Sequence, residues 1–163
     1  MDHQNLVRDI KTFLEESDAS RQACRPLKEG VQIGFAFTED SAAYHVVKEG
    51  KQLVVREGPA SKPDWIATLT PTAAANLCAL QDQDVGDLGV EIFKRMARGF
   101  VEPESDDRIH VKLHAGFFTI VRNGYLGILP LGGPKVTKWL AQNGLKNMGS
   151  FKRVFKKLRG TAE

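Results

Sequence analysis

His110 and His114 are the residues whose type and spacing first suggest chemistry. On a helix, imidazoles four residues apart converge on one metal ion. Along a strand, at about 3.3 Å per residue, they stand ~13 Å apart, too far to share an ion. Ile109, Val111 and Leu113 alternate with His110, Lys112 and His114, so the segment reads as a strand with its histidines toward solvent. His45 has the titration range of a general base, but no Ser or Cys nucleophile is tied to it in sequence. Glu102, Glu104, Asp106 and Asp107 supply the oxygens calcium prefers without the order of a calcium loop, and read as a hydrated loop. Gly132-Gly133-Pro134-Lys135 lacks phosphate-loop spacing and reads as a turn into a helix. There is no G-x-S-x-G, H-E-x-x-H or C-x-x-C motif. Cys24 and Cys78 read as isolated, small buried hydrophobes. The expectation is a protein without catalysis, metal or cofactor; a small enzyme using His45, His110 or His114 is an alternative.

Two patterns rise above this background. The first is a surplus of large apolar side chains on strands and helices alike, including Phe35, Phe37, Trp65, Phe93, Met96, Phe100, Phe117 and Phe118. Such residues fill a core, the simpler reading, or line an apolar pocket. The second lies near the C-terminus. Phe151, Val154, Phe155 and Leu158 fall at i, i+3, i+4 and i+7, and Lys152, Arg153, Lys156, Lys157 and Arg159 fill the remaining positions. A basic amphipathic helix suits an anionic membrane surface or a partner groove. Equally, its apolar stripe docks on its own domain and leaves the charges in water. Residues 134–163 hold eight basic residues and one acid, against fifteen basic and nineteen acidic before them. That acidic body argues against a broad nucleic-acid footprint, so nucleic-acid binding through the tail is the lesser alternative.

These features need elements to carry them. The chain of 163 residues, 42% apolar and 26% charged, suits one globular domain, residues 1–163, and excludes a disordered or fibrous chain. The spacing predicts a helix over Asn5–Glu16 capped by Asp2, a connection over 17–30, and strands at 31–38, 44–48, 51–56 and 64–70, with a hairpin at Glu49-Gly50. Thr70 followed by Pro71 signals a helix start. A second helix runs from Asp84 to Gly99, and strands return at 108–113 and 117–128. In the latter, Asn123-Gly124 signals a hairpin. Helices close the chain at 135–142 and 150–159, within a basic amphipathic segment 145–163. The fold class is α+β: a mainly antiparallel sheet of five to seven strands covered on one face by helices. No run of about 18 apolar residues is present. Met1-Asp2-His3-Gln4-Asn5 lacks the order of a signal peptide, and Thr161-Ala162-Glu163 is not a peroxisomal address, so the expected compartment is the cytoplasm.

Several of these segments stand together in a recognisable order. Tyr44-His45-Val46-Val47-Lys48-Glu49-Gly50-Lys51 is an aromatic-led strand turning at Gly-Lys. Val54-Val55, a short loop and Asp64-Trp65-Ile66-Ala67-Thr68-Leu69 follow, and the last strand runs straight into the helix of Thr70 to Leu80. Read together, residues 31–80 resemble the sterol carrier protein family of lipid-binding domains. Ile109 to Leu113 with Gly116 resembles that family's next strand. The chain departs from the pattern in the longer, acidic stretch Asp84 to Asp107, in the Asn123-Gly124 hairpin and in its basic C-terminal helices. The resemblance implies a non-catalytic carrier, free or accessory to a lipid-using enzyme, with an apolar tunnel between sheet and helices for a fatty acyl, sterol-like or isoprenoid ligand. By position it implies a lining of Phe35, Phe37, Trp65, Leu77, Ile92, Phe93, Met96 and Phe117, with the last helix as a gate.

Overall fold

Alternating apolar residues build five strands: β1 (Gln32–Phe37), β2 (Ala43–Glu49), β3 (Gln52–Glu57), β4 (Trp65–Leu69) and β5 (Ile109–Leu113). The computed structural model describes residues 2–160; Met1 and the last three residues of the basic segment 145–163 lie outside them. The sheet order is β3-β2-β1-β4-β5. β1 pairs parallel with β4, and the other three pairings are antiparallel. The β2–β3 turn uses Gly50 at φ 63°, a conformation that costs glycine little. In register, Phe35 stands opposite Tyr44 on β2 and Ala67 on β4, so these three share the inward face. On β5, Ile109, Val111 and Leu113 are buried while His110 and Lys112 are exposed. The predicted alternation is therefore the observed one.

Helices cover the inward face. α1 (His3–Glu16) begins where Asp2 accepts a hydrogen bond from the Gln4 amide, and packs on β3 with Leu6, Ile10 and Phe13 buried. Each such burial stabilises the fold by roughly 1.5–3 kcal/mol. α3 (Pro71–Cys78) starts as its sequence predicts, with the Thr70 hydroxyl accepting from the Ala73 amide. α4 (Val85–Val101) is capped by Asp84. It approaches β5 so closely at Gly99 that a methyl group there would strike the Ile109 carbonyl. Among the described residues, no helix is long and apolar enough to cross a membrane.

Two segments differ from the sequence reading. Residues 18–24, expected as connection, form α2 (Asp18–Cys24), capped by Ser17. Its buried residues are Ala19, Ser20 and Cys24, too small to give a strong helical signal. The buried Lys48 ammonium donates to the Leu27 and Arg25 carbonyls, at 2.6 and 3.2 Å, and ties this end of α2 to the sheet. The second correction is 117–128. There is no hairpin: the segment is α5 (Phe117–Arg122) followed by a 3-10 helix (Tyr125–Gly132). The amides of His114 and Ala115 both donate to the Asp64 carbonyl and turn the chain away from the sheet edge. Ile120 then anchors α5 in the core. A short, largely apolar run is compatible with either state, and here tertiary contact decides. α6 (Gly133–Gln142) and α7 (Met148–Leu158) complete the chain.

The acidic loop is tied down by charge. Arg95, 6% exposed, donates from Nε to Asp107 at 2.7 Å and from Nη1 to Glu91 at 2.8 Å, and Arg98 also reaches Asp107. Burial pushes the Asp107 carboxyl up, but Arg95, Asn76 and Arg98 outweigh it and hold it below its ordinary value. The Arg95 hydrogen bond lowers Glu91 in the same direction. A depressed native pKa stabilises the fold above the unfolded carboxylate range, near pH 4. Urea unfolding is therefore expected to show stability flat from pH 7 to about 5 and falling below about 4. Arg95→Met should lower the plateau and reduce that acid slope; an unchanged slope would contradict the assignment.

Candidate functional site

Among the described residues, two surface concavities stand out, and their linings differ in chemistry. The larger, about 950 Å³, lies where α3, α4 and α6 meet, and includes Leu80, Asp87, Glu91, Lys94, Lys135 and Trp139. Its carboxylates are matched by lysines. Lys135 reaches Asp84 and Asp87 at 3.2 and 2.8 Å, and Lys94 reaches Glu91 at 3.1 Å. Asp84 is held down to about 2, first by the Asp87 amide and then by Lys135. Lys135, from the glycine-rich turn weighed as an anion site, is thus engaged with carboxylates.

The smaller concavity, about 550 Å³, is a cleft between the start of α1 and the β2–β3 edge. It is lined by Gln4, Val7, Ala42, Ala43, Tyr44, Glu57 and Gly58. Tyr44 makes it more than a dent. Its ring stacks on Phe35 at 5.2 Å and meets Phe37 edge-on at 6.2 Å. An aromatic surface therefore runs without break from the cleft wall onto the inward face of the sheet. Val7 supplies the facing apolar wall, half-buried against the core. Burial raises the pKa of the Tyr44 hydroxyl, and the negative charges of Asp40 and Glu57 raise it further. The cleft mouth is thus neutral at the phenol and electronegative around it. The local sequence explains the shape: Ala42 and Ala43 lead into β2 with small side chains, and the Asp40 side chain turns the chain by accepting from the Ala42 amide at 3.0 Å.

The eight side chains expected to line a tunnel are distributed over several environments. Phe35, Phe37 and Leu77 are buried in the common core, and Trp65, Ile92 and Met96 pack half-buried against it. Phe93 instead stacks on Trp139 at 5.8 Å, and Phe117 meets Phe155 at 5.3 Å. None of the eight lines either concavity; Phe35 and Phe37 touch the smaller one through Tyr44, and Phe93 touches the larger through Trp139. The cleft residues Val7, Ala42, Ala43 and Glu57 were not singled out from sequence. The usable signal was Tyr44, whose place opposite Phe35 follows only from the β1–β2 register.

The histidines stand apart. His45 Nδ1 lies 2.9 Å from the Gly58 carbonyl. His110 is exposed against Phe100 at 6.3 Å, and His114 is exposed beyond β5. On α7, Leu158 is buried and Val154 and Phe155 pack on the core, while Lys152, Arg153, Lys156, Lys157 and Arg159 are exposed.

No family model matches this chain, and no curated protein does. Solved structures include a chain described as "UbiJ-SCP2 Ubiquinone synthesis protein", 18% identical, with a TM-score of 0.45. The alignment covers 81% of this chain and 95% of that one.

Proposed function

We propose that the protein binds and carries a long apolar ligand of fatty acyl, sterol-like or isoprenoid type, held at the α1–β2 cleft against the aromatic face of the sheet. The observation that carries this reading is the cleft wall itself: Tyr44 belongs both to the cleft lining and to the Phe35–Phe37 cluster. The cleft volume falls within the range of about 300–1,000 Å³ usual for small-molecule sites. Each methylene buried contributes about 0.8 kcal/mol, so a ~16-carbon chain grosses ~12 kcal/mol before the costs of association and ordering. Leu6, Ile10 and Phe13 of α1 fill the layer above the sheet. The ligand lies along the cleft and extends inward as α1 moves outward. The order of residues 31–80, similar to that of the sterol carrier family, supports the same reading. No chemical step is required.

The mouth also discriminates between head groups. Gln4 and Tyr44 offer hydrogen bonds, whereas Glu57 lines the cleft and Asp40 adds its charge nearby. A neutral hydroxyl or amide head suits this setting better than a carboxylate.

Titration of delipidated protein with fluorescent long-chain probes tests the proposal. The expected result is saturable binding of one probe per chain, tighter for an alcohol head than for a carboxylate at neutral pH. Val7→Lys places a charge on the apolar wall and should weaken binding roughly tenfold, equivalent to about 1.4 kcal/mol, with the melting curve retained. Absence of saturable binding, or unchanged binding by a folded Val7→Lys protein, would overturn it.

A further inference from the structure

α5 buries Ile120 but leaves Phe118 80% exposed, with Val121 exposed one turn later on the same side. α7 lies directly alongside, through the contact of Phe117 with Phe155. By helical spacing, the α7 strip that carries Phe155 also carries Met148, Lys152 and Arg159. Met148 is 52% exposed. The Lys152 ammonium sits 5.5 and 6.0 Å from the Phe117 and Phe118 ring centres. One surface therefore combines exposed apolar side chains from two helices with cations at its edge.

The charge distribution gives this surface its partner. Residues 1–107 hold twelve basic and nineteen acidic side chains, whereas residues 108–163 hold eleven basic and one acidic. The one acid is Glu163, so β5, α5, α6 and α7 contain none. We propose that α5 and α7 together form a docking surface for an anionic phospholipid bilayer. Phe118, Val121 and Met148 enter the boundary between head groups and acyl chains, and Arg122, Lys152 and Arg159 meet the lipid phosphates. This arrangement satisfies both requirements of an interfacial site, apolar insertion and cationic attraction. It also assigns α7 two faces: its apolar stripe docks on the domain, and its flank faces lipid. Nucleic acid fits less well, because aliphatic Val121 and Met148 offer bases no stacking plane and Lys152 already lies over the two rings. The surface is read from exposure and charge alone and stands independently of the ligand cleft.

Flotation with phosphatidylcholine vesicles, with and without phosphatidylglycerol, tests it on the full chain. Binding is expected on the anionic vesicles, weakening as salt rises, and at least tenfold weaker on the neutral ones. Phe118→Ser, at a side chain that supports little packing, should lower partitioning about tenfold. Lys152→Gln with Arg159→Gln should lower it about twenty-five-fold, at roughly fivefold per cation near an anionic surface. Phe100→Ser, an exposed aromatic at the end of α4 beside the acidic loop of residues 102–107, should change nothing. Absent vesicle binding, equal binding to neutral vesicles, or no loss in Phe118→Ser would each overturn the proposal. So would a salt-sensitive gel shift of short single-stranded RNA at concentrations where vesicles stay free. These variants should leave acyl-probe titration unchanged, so a failure here and a failure of the ligand reading are distinguishable.

Discussion

Gly124→Ala is expected to destabilise the domain by roughly 2–5 kcal/mol, measured by urea unfolding. Two penalties combine. Gly124 ends α5 at φ 92°, a region in which a β-carbon is strained. A methyl group there would also collide with the Pro26 carbonyl oxygen and crowd Leu27. The contact is fixed from both sides, since Asn123 accepts from the Lys28 amide at 3.0 Å. Gly124→Asn separates the two penalties. Asparagine tolerates the left-handed conformation but collides equally, so most of the loss should persist. A loss below about 1 kcal/mol in both variants, inside the ordinary surface range, would mean that α5 and the chain after α2 are not packed as described.

Asp64→Ala is expected to cost about 2–4 kcal/mol, because it strands buried donors. Asp64 is 8% exposed. Its Oδ2 accepts from the Asn123 side chain at 2.8 Å and from the Tyr125 hydroxyl at 2.9 Å, while its backbone carbonyl receives the His114 and Ala115 amides. One residue thus joins the start of β4 to both turns that flank α5. The Tyr125 hydroxyl is pushed far above its ordinary value, first by burial and then by the Asp64 charge, so it stays protonated and donates. Asp64→Asn keeps an acceptor oxygen and should cost only about 1 kcal/mol. A double-mutant cycle with Tyr125→Phe should return a coupling of about 1–2 kcal/mol. A coupling near zero would show the hydrogen bond to be energetically idle.

Where the signal was local, the sequence could be read directly. Asp2, Thr70 with Pro71, and Asp84 each cap a helix, because capping involves only the next three residues. The alternation over residues 109–113 survived intact because β5 has one face on the core. Asn123-Gly124 departs from the expected hairpin for a physical reason. A two-residue hairpin of type I′ needs both residues at positive φ. Gly124 has it, but Asn123 sits at φ −78°, so the pair closes a helix instead. Sequence alone could not decide between the states; the Asp64 tether and the burial of Ile120 do. The cleft was illegible for a related reason: the β2–β3 register sets Tyr44 opposite Glu57, but Val7, remote in the chain, joins them only through the packing of α1. On α7 the pattern announced an apolar stripe and a cationic face, both present, but gave no hint that Phe118 and Val121 of α5 extend that surface.

The central claim is that an apolar chain occupies the α1–β2 cleft. Photocrosslinking with a diazirine-bearing long-chain alcohol, followed by peptide mass spectrometry, tests it most directly. Labels are expected on α1 around Val7 and on β2 around Tyr44, competed away by unlabelled alcohol and reduced in Val7→Lys. Labels confined to α5 and α7, or spread over the surface without competition, would contradict the claim.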